Sequence, residues 1–114
     1  MAEQTETTST DQCCESVGEV DAEALAADVQ LLSAMGNDTR YELLRRIDGA
    51  DAEVCVCDLE ATVGVSQSAV SQALSRLYTA GLVTRRKERN WRYYGLTEEA
   101  ETLLAALETV RGDS

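Results

Sequence analysis

The 114-residue chain contains no His, no Pro and no Phe, and Lys87 is the single Lys among ten bases. Without imidazole there is no Ser-His-Asp or Cys-His arrangement, and no zinc site of the His type. No apolar run approaches the ~18 residues of a membrane span, and no basic segment followed by a hydrophobic stretch opens the chain. A cytoplasmic protein that is not an enzyme is expected. Acids number 21, for a net charge of -11. Spread evenly, that charge argues against an anionic membrane or a nucleic acid as partner. An acid-rich, lysine-poor surface fits a halophilic, salt-rich cytoplasm, and equally an ordinary acidic protein. The length supports one compact domain with a thin core, which a shared interface with a second copy would help.

What is present organises into segments. Residues 1–20 are polar and read as a flexible N-terminal arm, which carries the adjacent pair Cys13-Cys14. Residues 21–114 read as the folded domain. Asp21 is a plausible N-cap for a helix with Leu25, Val29 and Leu32 on one face, ending at Gly36. A second helix opens at Asn37 or Asp38, carries Tyr41, Leu44 and Ile47, and stops at Gly49. Val54 to Gly64 ends in a short helix. Ser66 then caps a longer one, in which Val70, Ala73, Leu74 and Leu77 fall at i, i+3, i+4, i+7. A short helix, a turn at Gly64-Val65 and a longer helix make a helix-turn-helix candidate. Leu82–Thr84 and Trp91–Tyr94 read as two strands joined by the polar stretch Arg85 to Asn90. Thr97 caps a last helix striped with Ala100, Leu103, Leu104, Leu107 and Val110. That stripe and the first helix form the candidate homodimer surface. The fold class is mostly α with a small β-hairpin.

Charge is not spread evenly. Residues 1–65 hold 15 acids and 3 bases, and residues 95–114 hold 5 acids and 1 base. Residues 66–94 hold Arg76, Arg85, Arg86, Lys87, Arg89 and Arg92 against Glu88 alone, a local +5. The helix after Ser66 presents Gln67, Ser68, Ser71, Gln72, Ser75, Arg76 and Thr79, with no acid. Short hydroxyl and amide side chains with one Arg suit a helix that reads base edges in a major groove. An ordinary solvated face would mix Glu with Lys. An acid-free helix followed by a basic hairpin is the footprint of a winged helix-turn-helix on double-stranded DNA.

These residues also carry a resemblance. Leu32–Arg40 resembles an "ALGDPTR" segment, Val54–Leu59 an "LCVCDL" box, and Ser66–Ser71 a recognition helix. Ala80–Val83 and Trp91–Tyr94 resemble a wing. Together they are similar to ArsR/SmtB-type metalloregulatory repressors of the arsenic-responsive branch, over about Leu31 to Leu96. The resemblance implies a dimeric winged-helix repressor that leaves its operator when a thiophilic ion binds. Gln72 stands where many members have His, and it should still reach a base edge.

Cys55-Val56-Cys57 is the inducer candidate. Inside a regular helix, residues i and i+2 lie about 200° apart and cannot share an ion. The pair works only if Cys55 lies just before the helix. There the helix N-terminus lowers thiol pKa, while Glu53, Asp58 and Glu60 push the other way. As(III), Sb(III), Cd(II) and Pb(II) favour sulfur. The alternative is two small buried core residues. Some arsenic-responsive relatives place a third Cys where this chain has Glu60. In cadmium- and lead-responsive relatives, N-terminal Cys residues join the box from the partner subunit. Cys13 and Cys14 would serve here, one giving three sulfurs for As(III) or Sb(III), both giving four for Cd(II) or Pb(II). They also read as incidental thiols in a tail. Glu98, Glu99, Glu101 and Glu108 on the last helix lack the His that the relatives' zinc site uses, and they read as a solvated face. Two other readings stay open: a redox-sensing DNA-binding regulator, and a cytosolic thiol protein that buffers soft metals without DNA.

Overall fold

A computed structural model of the chain describes residues 16–112, so Cys13 and Cys14 lie outside the described residues. The elements run α1 (Ala22–Met35), α2 (Asp38–Asp48), β1 (Val54–Cys55), α3 (Val56–Thr62), α4 (Gln67–Thr79), β2 (Val83–Glu88), β3 (Trp91–Leu96) and α5 (Glu98–Arg111). Among the described residues, four of these five helices begin on a side-chain oxygen that accepts a backbone N–H left unpaired in the first turn. Asp21 accepts from Ala24 at 2.9 Å, Asn37 from Arg40 at 3.0 Å, Ser66 from Ala69 at 3.1 Å and Thr97 from Ala100 at 3.2 Å. Gly36 closes α1, its N–H donating to the Leu32 carbonyl.

The core forms around α4. Val70, Ala73, Leu74 and Leu77 are buried, as their spacing requires. They join Leu43, Leu44 and Ile47 of α2, Leu59 and Val63 from α3 and its end, Leu82, Val83 and Tyr94 at the root of the hairpin, and Ala100 and Leu104 of α5. Leu43 belongs to this set although the helical stripe read from the sequence omits it. α1 buries Ala34 and Met35 at its C-terminal end and packs half-buried Leu31 against the core. Arg40 fastens that end: its Nε donates to the Ala34 carbonyl at 2.7 Å and its Nη2 to the Ser33 carbonyl at 3.1 Å. Arg45 fastens α5 to α2, donating to Tyr41 Oη and Glu108 Oε2, both at 2.8 Å, and to the Leu104 carbonyl at 3.3 Å.

The hairpin differs from its expected form. Arg85 to Glu88 are strand, not loop, and only Arg89 and Asn90 make the turn. Arg89 has φ 59°, a left-handed backbone suited to so short a connection. A third strand, β1, was not expected. It is two residues long and pairs antiparallel with β3, giving the order β1-β3-β2. Two residues leave no alternation to detect, and their pairing partner lies far along the chain.

Leu25, Val29 and Leu32 on α1 and Leu107 and Val110 on α5 are exposed in the single chain. Both stripes are therefore unpartnered within one copy. Gly81 takes φ 80° where α4 gives way to β2, and the Thr97 hydroxyl donates to its carbonyl at 2.8 Å. Thr97 thus caps α5 and ties it to the start of the wing. Thr97→Ala should lower unfolding free energy in urea by about 1–2 kcal/mol, and Thr97→Ser should restore most of it.

Candidate nucleic-acid interface and thiol site

Burial of one edge of α4 turns the opposite edge to solvent. Ser66, Gln67, Ser68, Ser71, Gln72, Ser75, Arg76 and Thr79 are all exposed. Several are held from behind. Arg76 Nη2 donates to Ser33 Oγ on α1 at 3.3 Å, and Gln67 Nε2 donates to Glu60 Oε1 on α3 at 3.2 Å. Gln72 Nε2 approaches Ser68 Oγ at 3.5 Å, one turn away on the same helix.

The wing sorts its charges by strand alternation, in which paired residues share a face and neighbours along the strand do not. Arg85 pairs with Tyr94 and Lys87 with Arg92. Tyr94 is buried, so this face looks toward the body of the protein and α4. Arg85 lies over the Tyr78 ring of α4 at 4.0 Å from its centroid. Lys87, Asn90 and Arg92 line an open groove of about 340 Å³ with Ser71 of α4 and Val56 and Glu60 of α3. The opposite face carries Thr84, Arg86 and Glu88 against Gly95, Tyr93 and Trp91.

Arg86 thus stands apart from the other wing bases. Its Nε donates to Glu53 Oε1 at 2.8 Å and its Nη1 to Glu88 Oε1 at 2.6 Å. These two carboxylates push its pKa further above the usual guanidinium value. The sequence groups Arg86 with Arg85, Lys87, Arg89 and Arg92; the structure separates it. Counting alternation from buried Tyr94 would have found this, had the strand been extended through Glu88.

The thiols sit where β1 becomes α3. Cys55 is the N-cap residue with extended backbone, and its Sγ accepts from the Cys57 N–H at 3.4 Å. Cys57 lies in the first turn. Both are free and half-buried, so they are neither core residues nor fully open thiols. The Cys57 thiol is pushed up by its hydrogen bond with Cys55, then by partial burial and by the charges of Cys55 and Asp58. A backbone hydrogen bond at Asp58 pulls down but is outweighed. The depression expected from the helix N-terminus is therefore not the net result at Cys57.

Two adjacent sulfurs supply a soft donor pair that suits a thiophilic ion. A trigonal or tetrahedral site needs more. Among the described residues, no group of three or more His, Cys, Asp and Glu side chains could hold a metal ion. Glu60 is engaged with Gln67, and on α5 Glu108 is engaged with Arg45 while Glu98, Glu99 and Glu101 are exposed.

Comparison with known proteins gives this geometry a family. The family model of bacterial regulatory proteins of the arsR family matches residues 37–85, from the cap of α2 into β2. A protein of Halobacterium salinarum that carries the name ArsR2, for an arsenical resistance operon repressor, is 73% identical over 90% of this chain and 87% of its own length. Among solved structures, NolR from Sinorhizobium fredii superposes with a TM-score of 0.73 at 30% identity, covering 86% of this chain and 100% of that one. The homodimeric winged helix-turn-helix DNA-binding domain Mb0332 from Mycobacterium bovis superposes at 0.70 with 26% identity, covering 84% and 90%. An acid-free reading helix, a basic wing and a paired-thiol box thus stand on a winged helix-turn-helix, and the chain belongs to the ArsR family of transcriptional regulators.

Proposed function

We propose that the protein is an arsenic-responsive transcriptional repressor. It binds operator DNA as a homodimer and leaves it when As(III) or Sb(III), or alternatively Cd(II) or Pb(II), is held by Cys55 and Cys57. The observation that carries this reading is the placement of two free thiols at the start of α3, one short helix and a turn before α4. The name of the Halobacterium relative supports the arsenical inducer. Residues 21–114 are the DNA-binding and dimerisation unit in this reading, working in the cytoplasm. Among the described residues no helix is long and apolar enough to cross a membrane.

Each α4 enters a major groove, where Ser66, Gln67, Ser68, Ser71, Gln72, Ser75 and Arg76 meet base edges and nearby phosphates. Arg85, Lys87, Arg89 and Arg92 take phosphates along the flank. α1 and α5 bury Leu25, Val29, Leu32, Leu107 and Val110 against a second copy. That burial sets the distance between the two reading helices, and with it the spacing of the operator's half-sites.

The thiols act through their position. Turning both sulfurs toward one point breaks the contact between the Cys57 N–H and Cys55 Sγ, and it rotates the first turn of α3. α3 leads into α4 through Gly64 and Val65, and Glu60 holds Gln67, so the reading helix shifts with it. A coupling of about 1–3 kcal/mol per site is the ordinary scale for such linkage. Cys13 or Cys14 completes the donor set.

Titration with arsenite in a mobility-shift assay tests the reading. Wild type should release its DNA, while Cys55→Ser/Cys57→Ser should bind DNA normally and stay bound. Release by a mild oxidant, reversed by a thiol reductant and without any arsenite response, would instead make the protein a redox sensor. Cys57 must lose its proton to bind Cd(II), and its pKa is raised. Cd(II) affinity should therefore climb with pH through the neutral and mildly alkaline range, by about tenfold per unit for each proton displaced. Isothermal titration in several buffers reads that number. Val29→Glu, on the unpartnered stripe, should sediment as a folded monomer and lose most of its operator affinity.

A further inference from the structure

The sheet sets Cys55, Tyr93 and Arg86 in one lateral row. Cys55 pairs with Tyr93 across β1 and β3, and Tyr93 pairs with Arg86 across β3 and β2. Directly paired residues project from the same face, and the Arg86 guanidinium lies 4.8 Å from the centroid of the Tyr93 ring. Glu53, two residues before Cys55, closes the row through its 2.8 Å bond to Arg86. Its side chain passes over Gly95, where an added Cβ would come within 3.5 Å of Glu53 Cγ and 3.0 Å of Thr84 Oγ1. The backbone that carries the first thiol is therefore attached to the wing twice, by strand pairing and by an ion pair.

We propose that Arg86 is a positioning residue that passes the state of the Cys55–Cys57 pair to the wing, through Glu53 and the Tyr93 ring, without touching DNA. This deepens the repressor reading and rests on Cys55 and Cys57 holding the inducer. The geometry favours it over a phosphate contact. Arg86 faces away from Arg85, Lys87 and Arg92, and two carboxylates already engage its Nε and Nη1. β1 is only two residues long, so turning Cys55 toward Cys57 moves a large share of the β1–β3 pairing. Glu53 moves with β1, and the wing base that it holds follows. The inducer thereby acts on the wing as well as on α4.

The test uses the full chain, arsenite, and a duplex that the protein selects from a random pool. Arg86→Gln should leave the salt dependence of DNA binding unchanged, whereas loss of a phosphate contact in each copy of the dimer would lower its slope by about two. The same variant, and Glu53→Gln, should cut the arsenite-induced loss of affinity at least about threefold, from an ordinary range of about 5–150-fold. The double variant should do no more than either single one, and Arg86→Lys should recover part of the response. Arsenite should still bind, seen as unchanged sulfur-to-arsenic absorbance. Trp91, the one Trp in the chain, pairs with Glu88 in the strand register and is half-exposed. Its emission should change with arsenite in wild type and not in Arg86→Gln. Release from Arg86→Gln equal to wild type, or a lowered salt slope, overturns the wing linkage alone. Failure of arsenite to release wild type overturns the thiol reading and this inference with it.

Discussion

Val70, Ala73, Leu74 and Leu77 must leave water, and α2 with the root of the wing supplies the apolar surface that receives them. Each of the Val and Leu side chains among them is worth about 1.5–3 kcal/mol when fully buried. Four on one edge of a thirteen-residue helix fix its rotation as well as its place. Which side chains α4 shows to solvent follows from that rotation. The polar edge points out because the apolar edge points in, and in the proposed reading its freedom from acids lets it approach a polyanion. The same core holds Tyr94, which sets the register of the wing and so decides which of its bases face α4.

Local chemistry was the readable part of the sequence. Asp21, Asn37, Ser66 and Thr97 each start a helix for reasons confined to three or four residues, and the stripe on α4 repeats within one element. The placement of Cys55 ahead of its helix followed from requiring both thiols to reach one ion, since i and i+2 cannot share a helical face. Non-local features were harder. β1 exists only because β3 is beside it, and Arg85 to Glu88 are too polar to read as strand without a partner. The direction of Arg86 depends on both. The Cys57 thiol depended on a contact between neighbouring sulfurs that outweighed the helix terminus, a balance that only positions resolve.

Net charge of -11 and DNA binding are compatible because folding keeps the signs apart. The acids lie mainly before residue 66 and after residue 94, while the bases between them are carried by α4 and the wing. Arg86 is the exception that strand alternation explains. Paired with Glu53 and Glu88, it belongs electrically to the acidic part of the molecule and mechanically to the basic part. In the proposed linkage, that dual membership joins the thiol strand to the wing.

Glu53, Arg86 and Glu88 meet at 2.6 to 2.8 Å, and that shortness has a consequence in brine. Near 1 M ionic strength the Debye length falls to about 3 Å. Attraction between the wing bases and distant phosphates is then largely screened, and the release of counterions contributes less to affinity. Charges already in contact lie at about the screening length and lose a smaller share of their attraction than distant ones. In a concentrated electrolyte, recognition would shift toward shape and base edges, while the fastening between thiol strand and wing, backed by strand pairing, would weaken less.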